Sequence, residues 1–170
     1  MVDERPLVVQ TETLEPAAQA WLRERVRLEG CAYDEARLRE LLPEARGLVV
    51  RTYTRVNRGL LDLAPKLEVV GRAGVALENI DIAACRARGV EVVHTPDANT
   101  QAVVDFVLCL LLDALRPRVF LDGPLEGKAW HEARADLQGE CHLADLEVGI
   151  LGFGRIGSRV GRVLRALGCR

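Results

Sequence analysis

The sequence has almost no excess charge of either sign: 23 Lys and Arg residues face 25 Asp and Glu residues, a formal charge of −2 at pH 7. Nothing therefore attracts nucleic acid or an anionic membrane surface, and neither is expected as a partner. Long apolar runs are absent too, because the longest, Phe106 to Leu112, is too short to span a bilayer. The acidic N-terminus lacks the apolar core of a signal peptide. We expect a soluble, cytoplasmic protein.

Cysteine does not occur in a pattern that binds metal or forms disulfides. The five cysteines are odd in number and contain no C-x-x-C pair: Cys31, Cys85, Cys109, Cys141 and Cys169. Neither a metal site nor a disulfide is expected, and reduced thiols suit the cytosol. With 49% hydrophobic residues and no repeat or low-complexity tract, the 170-residue chain has enough apolar material for a core.

Short apolar runs and helical patterns alternate from the N-terminus to Pro96. The runs predict strands over residues 7–9, 26–28, 47–50, 67–70 and 90–93. Strands separated by helical crossovers indicate an α/β fold with a parallel sheet covered on both faces.

Four helical patterns lie between these strands. They cover residues 16–25, residues 34–42, a stretch that Asn57 caps and that reaches residue 64, and one that Asn79 or Asp81 caps and that reaches residue 88. The first helix is expected to bury Ala17, Ala20 and Trp21.

The pattern changes after Pro96, where we place a boundary between domains over residues 1–96 and 97–170. A longer helix, capped by Asn99 or Thr100, is predicted to reach Arg116. It is apolar on most of its surface, which favours burial between domains or against another subunit, with Cys109 facing a core. Residues 118–145 are polar and glycine-containing, and we expect little regular structure there.

A glycine motif follows, Gly152-Phe153-Gly154-Arg155-Ile156-Gly157. It lies between a predicted strand, residues 148–151, and a predicted helix, residues 155–167, whose apolar side is Ile156, Val160, Val163, Leu164 and Leu167. This order is typical of dinucleotide binding: the first glycine makes the turn, the second lets backbone approach the pyrophosphate, and the third lets the helix pack on the strand. An ordinary tight turn is the alternative.

Half of a cofactor site is expected from this motif. The acidic residue that holds the ribose would follow about 20 positions later, and the chain ends at Arg170 before reaching it. NAD is the expected cofactor, and NADP is not excluded. We expect weak binding to this chain by itself.

Several segments together resemble one known family. They are residues 69–81, the strand that ends in Thr95-Pro96, Asn99-Thr100 and residues 149–157, and they keep the order and spacing of the D-isomer-specific 2-hydroxyacid dehydrogenases. Residues 50–56 and 71–74 are most similar to the members that oxidise 3-phosphoglycerate. The resemblance implies a flavodoxin-like substrate domain followed by the start of a Rossmann dinucleotide-binding domain. It also implies a small 2-hydroxy or 2-keto acid as substrate and a homodimer formed through residues 100–116.

The resemblance also implies roles for individual residues. In the family, the N–H groups of the loop matching Ala73, Gly74 and Val75 hold the substrate carboxylate. Arginines matching Arg51 and Arg72 help to hold the phosphate, which a guanidinium recognises with several donors at once. Asn99 completes the substrate set. The cofactor set is Gly152, Phe153, Gly154, Arg155, Ile156 and Gly157.

Alternatives remain for these residues and for the whole chain. Arg51 could be a solvated residue at a strand end, and Arg72 could form a structural ion pair with Glu78 or Asp81. His94 ends a strand and could contact ligand. The family's catalytic Arg, Glu and His fall beyond Arg170, so the chain alone is expected to be inactive. It is then either the N-terminal portion of an NAD-dependent oxidoreductase or a truncated, non-catalytic ligand-binding or subunit-association module.

Overall fold

The computed structural model describes residues 4–116, 118, 120–136 and 142–170; Cys141 lies outside these residues. The chain forms two compact units, Met1–Ala98 and Asn99–Arg170. Each unit has a hydrophobic core of its own.

The first unit is built on a sheet of five parallel strands in the order β2-β1-β3-β4-β5. The strands are β1 (Leu7–Gln10), β2 (Arg27–Gly30), β3 (Gly47–Val50), β4 (Val69–Arg72) and β5 (Glu91–His94). Because a helix follows each of the first four strands, the chain returns to the starting edge before the next strand begins, and the pairing is parallel. The predicted α/β parallel sheet is confirmed.

Short helices connect the strands: α1 (Pro16–Arg23), α2 (Ala36–Leu41) with a 3₁₀ turn (Leu42–Glu44), α3 (Arg58–Leu63) and α4 (Ile82–Ala87). The side chain of Asn57 accepts a hydrogen bond from the Leu60 N–H and so caps α3. Asp81 caps α4 by accepting from the Ala84 N–H, which settles the choice between Asp81 and Asn79. Asn79 is therefore available for other contacts.

The core of the first unit lies on the central strands, whose side chains Val9, Leu48, Val50 and Val70 are fully buried. The prediction that the first helix buries Ala17, Ala20 and Trp21 is wrong. Helix α1 has no buried residue, and Trp21 is 56% exposed beneath the Arg25 guanidinium. The reason is position: α1 packs beside β2, an edge strand that offers little apolar surface.

The second unit contains α5 (Thr100–Leu115), α6 (Gly127–Asp136), a 3₁₀ turn (Leu143–Asp145) and α7 (Arg155–Ala166). Its core is a small cluster formed by Val104, Val160, Leu164 and Cys169. Among the described residues, no helix is both long and apolar enough to cross a membrane.

Three predictions for this unit are wrong. Residues 118–145 do contain regular structure, because α6 forms from a mixture of charged residues and alanines that favours a helix but carries only a weak apolar period. Residues 148–151 form no strand: among the residues that the structure describes, the backbone here pairs only through Val148 and Leu146, each bonded to Arg170. Cys109 and Leu167 are exposed rather than buried.

Candidate functional site

The carboxyl edge of the five-stranded sheet gathers the candidate substrate residues of the first unit. Parallel strands end on the same edge, and the loops that follow them are where α/β proteins bind ligands. Glu12 follows β1, the loop Arg51–Thr54 follows β3, and the loop Ala73–Val75 follows β4.

The loop after β3 is folded around a carboxylate. Glu12 accepts hydrogen bonds from the N–H groups of Arg51 at 2.9 Å, Thr52 at 2.7 Å, and Tyr53 and Thr54 at 3.2 Å. Burial alone would raise the pKa of Glu12, but these four N–H groups outweigh it and lower the pKa to about 2. Glu12 is therefore an anion at neutral pH. Sequence reasoning missed it, although a polar residue soon after a strand is a signal for this edge.

Arg72 is held in place at the end of β4 by its neighbours. Its side chain is 9% exposed, its Nε donates to Asn79 Oδ1 at 3.3 Å, and one terminal nitrogen lies 3.4 Å from Glu78 Oε1. The predicted alternative, an ion pair with Glu78, is thus present, whereas Asp81 is engaged as the cap of α4. Because Glu78 itself is mostly exposed, this pair adds little stability.

In the loop after β4, two of the three backbone N–H groups donate hydrogen bonds to carbonyl groups of the protein. The N–H of Ala73 donates to Val50 O and that of Gly74 to Arg72 O, both at 2.9 Å. Within the described part of the chain, the N–H of Val75 donates no hydrogen bond. Of the three donors that the family resemblance suggests for a substrate carboxylate, only that of Val75 is uncommitted.

Glycine at position 74 is what allows Arg72 to lie against this loop. A Cβ built on Gly74 would collide with the Arg72 guanidinium. On the other side, His94 Nδ1 donates to Val75 O at 2.8 Å, and the Thr95 N–H donates to Gly74 O at 3.1 Å. His94 therefore fixes the loop from β5, and a carbonyl partner means that its Nδ1 carries the proton.

In the glycine turn of the second unit, the three motif glycines differ in backbone conformation and in the space around them. Gly152 has φ +95°, a left-handed conformation that side chains rarely adopt. A Cβ on Gly154 would meet nothing within 4 Å, whereas a Cβ on Gly157 would collide with the carbonyl oxygen of Gly152. The turn therefore needs the first and third glycines for its own geometry, while the second leaves open space above the backbone.

The start of α7 suits an anion. Gly154 is the residue before the helix, and the first turn contains Arg155 and no acidic side chain. The N–H groups of a first helical turn have no carbonyl partner inside the helix and point outward with the positive end of the dipole. Together with the space above Gly154, this arrangement fits a cofactor pyrophosphate. Phe153 is largely exposed beside the turn.

Asn99 belongs to the second unit, directly before α5. It is the N-cap residue of this helix, as predicted, but its side chain makes no capping hydrogen bond. Its φ of −103° and ψ of 1° differ from the extended conformation that an N-cap residue usually adopts.

The buried thiols of Cys31 and Cys85 are not candidates for a nucleophile. Burial raises the pKa of Cys31, which Glu35 raises further, and burial beside Asp81 raises the pKa of Cys85. Both thiols are therefore protonated at neutral pH and unreactive.

Comparisons with known proteins point to one family. The sequence model described as "D-isomer specific 2-hydroxyacid dehydrogenase, catalytic domain" matches residues 8–155. D-3-phosphoglycerate dehydrogenase of Mycobacterium bovis is 37% identical over 164 residues, which cover 96% of this chain and 30% of the relative. The chain thus spans about 30% of the length of this curated relative.

Solved structures agree in fold. A protein of Thermus thermophilus superposes with a TM-score of 0.77 at 31% identity, covering 96% of this chain and 54% of the other. An NADPH-dependent glyoxylate/hydroxypyruvate reductase of Sinorhizobium meliloti, solved in complex with NADP and malonate, superposes with a TM-score of 0.70 at 27% identity. That match covers 98% of this chain and 52% of the reductase.

Proposed function

Because this chain belongs to the D-isomer specific 2-hydroxyacid dehydrogenase family, we propose that it is the N-terminal portion of an NAD-dependent oxidoreductase. The enzyme interconverts a small D-2-hydroxy acid and its 2-keto acid. The proposed pair is 3-phosphoglycerate and phosphohydroxypyruvate, since the Mycobacterium bovis relative is a D-3-phosphoglycerate dehydrogenase. The chain covers only 30% of that relative, so the activity of a whole enzyme is part of the proposal.

The observation that carries the proposal is the geometry of the glycine turn. Positive φ at Gly152, open space at Gly154 and close packing at Gly157 are the three properties that a pyrophosphate turn requires. A tight turn with no ligand to admit would need no space above its second glycine. When bound, NAD supplies the acceptor for the hydride of the 2-hydroxy acid.

The first unit supplies the anion contacts in this proposal. Arg51 and Arg72 hold the negatively charged groups of the substrate, because a guanidinium binds carboxylate or phosphate with parallel N–H bonds. The uncommitted N–H of Val75 adds one neutral donor. Asn99, also assigned to substrate by the family resemblance, remains part of the proposed set.

The experiment compares Gly154→Ala with Gly149→Ala while NAD is titrated into the chain and followed by NMR, which detects weak binding. A Cβ meets nothing within 4 Å at either position, so both variants keep the fold. Only residue 154 faces the proposed pyrophosphate, so we expect Gly154→Ala to weaken NAD binding about tenfold or more and Gly149→Ala to leave it unchanged. Equal binding by wild type and Gly154→Ala would contradict the proposal.

The choice between NAD and NADP requires the same titration on a longer chain that includes the ribose-binding residue expected about 20 positions after the glycine motif. The Sinorhizobium meliloti reductase is described as NADPH-dependent, whereas we propose NAD for this chain. Tighter binding of NAD than of NADP supports NAD as the cofactor. Tighter binding of NADP would contradict the choice of NAD.

A further inference from the structure

The loop Arg51–Thr54 is organised by a carboxylate of the protein itself. Its four N–H groups converge on Glu12, and the Thr54 hydroxyl donates to Glu12 Oε1 at 3.0 Å. Hydrogen bonds to an ionised acceptor are about twice as strong as neutral ones. These N–H groups are therefore not open to a ligand, and recognition of an anion beside this loop depends on side chains.

The carbonyl groups of the same loop are held by a different residue. Asn79 Nδ2 donates to Arg51 O at 3.1 Å and to Thr54 O at 2.7 Å. The other atom of the same amide, Oδ1, accepts from Arg72 Nε at 3.3 Å. One side chain thus links the backbone of Arg51 to the guanidinium of Arg72.

The segment that carries Glu12 also fixes the Arg51 side chain. A terminal nitrogen of Arg51 donates to Thr13 O at 3.0 Å, one residue after the carboxylate that binds the Arg51 N–H. The backbone and the guanidinium of Arg51 are therefore both held from the connection between β1 and α1.

We propose that Glu12 and Asn79 are positioning residues that set the placement of the Arg51 and Arg72 guanidinium groups for a small 2-hydroxy acid that carries a second anionic group. This inference rests on the proposed function, since it takes the two arginines as the anion contacts. Glu12 and Asn79 do not contact the substrate. They hold the arginines before it arrives, which lowers the entropy lost when it binds.

The direction in which Glu12→Gln changes the Kd for an anion distinguishes a positioning role of Glu12 from a purely electrostatic one. Glu12 places a negative charge beside Arg51, so removing that charge by Glu12→Gln would by itself strengthen the binding of an anion. If Glu12 acts by holding the loop, the same substitution weakens binding instead. A residue that only stabilises the fold would change the melting temperature and leave the Kd of the folded protein unchanged.

The test titrates the 170-residue chain with 3-phosphoglycerate by calorimetry. Glu15→Gln is the matched control, because Glu15 lies on the same connection, carries the same charge and, within the described part of the chain, accepts only the Ala17 N–H. We expect the Kd to rise about tenfold in Glu12→Gln and in Asn79→Ala, and to stay within about twofold in Glu15→Gln. A Kd for Glu12→Gln that equals the wild-type value or falls below it would overturn the inference.

A second variant covers the case in which Glu12→Gln does not fold. Glu12→Ala leaves the loop N–H groups free to donate to a dissolved carboxylate, so sodium acetate should restore folding and affinity where sodium chloride of equal ionic strength does not. Acetate that restores neither would refute the positioning role. Absence of binding by the wild-type chain would overturn the proposed function as well, whereas wild-type binding with an unchanged Glu12→Gln affects this inference alone.

Discussion

The stability of the first unit should depend on the ionisation of Glu12, and Glu12→Gln removes that dependence. In the folded chain the pKa of Glu12 is about 2, against an ordinary value of 4.5. At about 1.36 kcal/mol per pKa unit, this difference corresponds to about 3 kcal/mol of folding free energy at most. The side chain is partly exposed, so solvent screening makes this an upper value.

The direction of the pH dependence follows from the lowered pKa. The contribution of Glu12 is fully present above the unfolded-state value of 4.5 and is lost as the pH falls toward about 2. Other carboxylates also titrate in this range, so the informative quantity is the difference in unfolding free energy between wild type and Glu12→Gln. We expect this difference to be largest at neutral pH and to shrink steadily below pH 4.5.

Urea unfolding followed by circular dichroism at several pH values measures this difference. Glu15→Gln is again the control at neutral pH, where losing the cap of α1 should cost about 1 kcal/mol or less. If the difference between wild type and Glu12→Gln were the same at neutral pH and near pH 2, the four N–H bonds would not hold an ionised carboxylate, and the reasoning would fail.

Three further outcomes are expected. Gly157→Ala should cost more than about 2 kcal/mol in the second unit, seen as lost helical signal, because its Cβ meets the carbonyl oxygen of Gly152, while Gly149→Ala keeps the wild-type signal. Because Phe106 is 62% and Leu110 54% exposed on α5, sedimentation should show a dimer or larger species that Phe106→Asp dissociates; a monomeric wild type would refute this. The chain alone should produce no NADH from 3-phosphoglycerate above background, measured by absorbance, since the family resemblance places the catalytic groups after this segment.

The features that were predicted well from sequence depend on residues that lie close together along the chain. The strands of the first unit follow from short apolar runs, and the caps at Asn57 and Asp81 follow from a polar side chain directly before a helix. The glycine turn was predictable because local backbone geometry requires glycine at positions 152 and 157.

The features that sequence did not predict depend on partners far along the chain. Glu12 accepts hydrogen bonds from backbone N–H groups about forty positions away. Every residue except proline has a backbone N–H, so the sequence does not show which of them will bind a carboxylate. Trp21 is exposed because its helix lies beside an edge strand, and strand order cannot be obtained from periodicity. Residues 148–151 are not a strand because a strand needs a paired neighbour, not only an apolar run.

The contact between Gly74 and Arg72 limits the order in which these two positions can change. Any side chain at 74 would collide with a terminal nitrogen of Arg72, so the guanidinium would have to shift from its place beside Asn79 and Glu78. If Arg72 is first replaced by a shorter residue, the three atoms nearest to a Cβ at position 74 are removed and this collision is relieved. Changing position 72 first therefore makes a larger residue at position 74 easier to accommodate, whereas the reverse order passes through a protein with a shifted arginine.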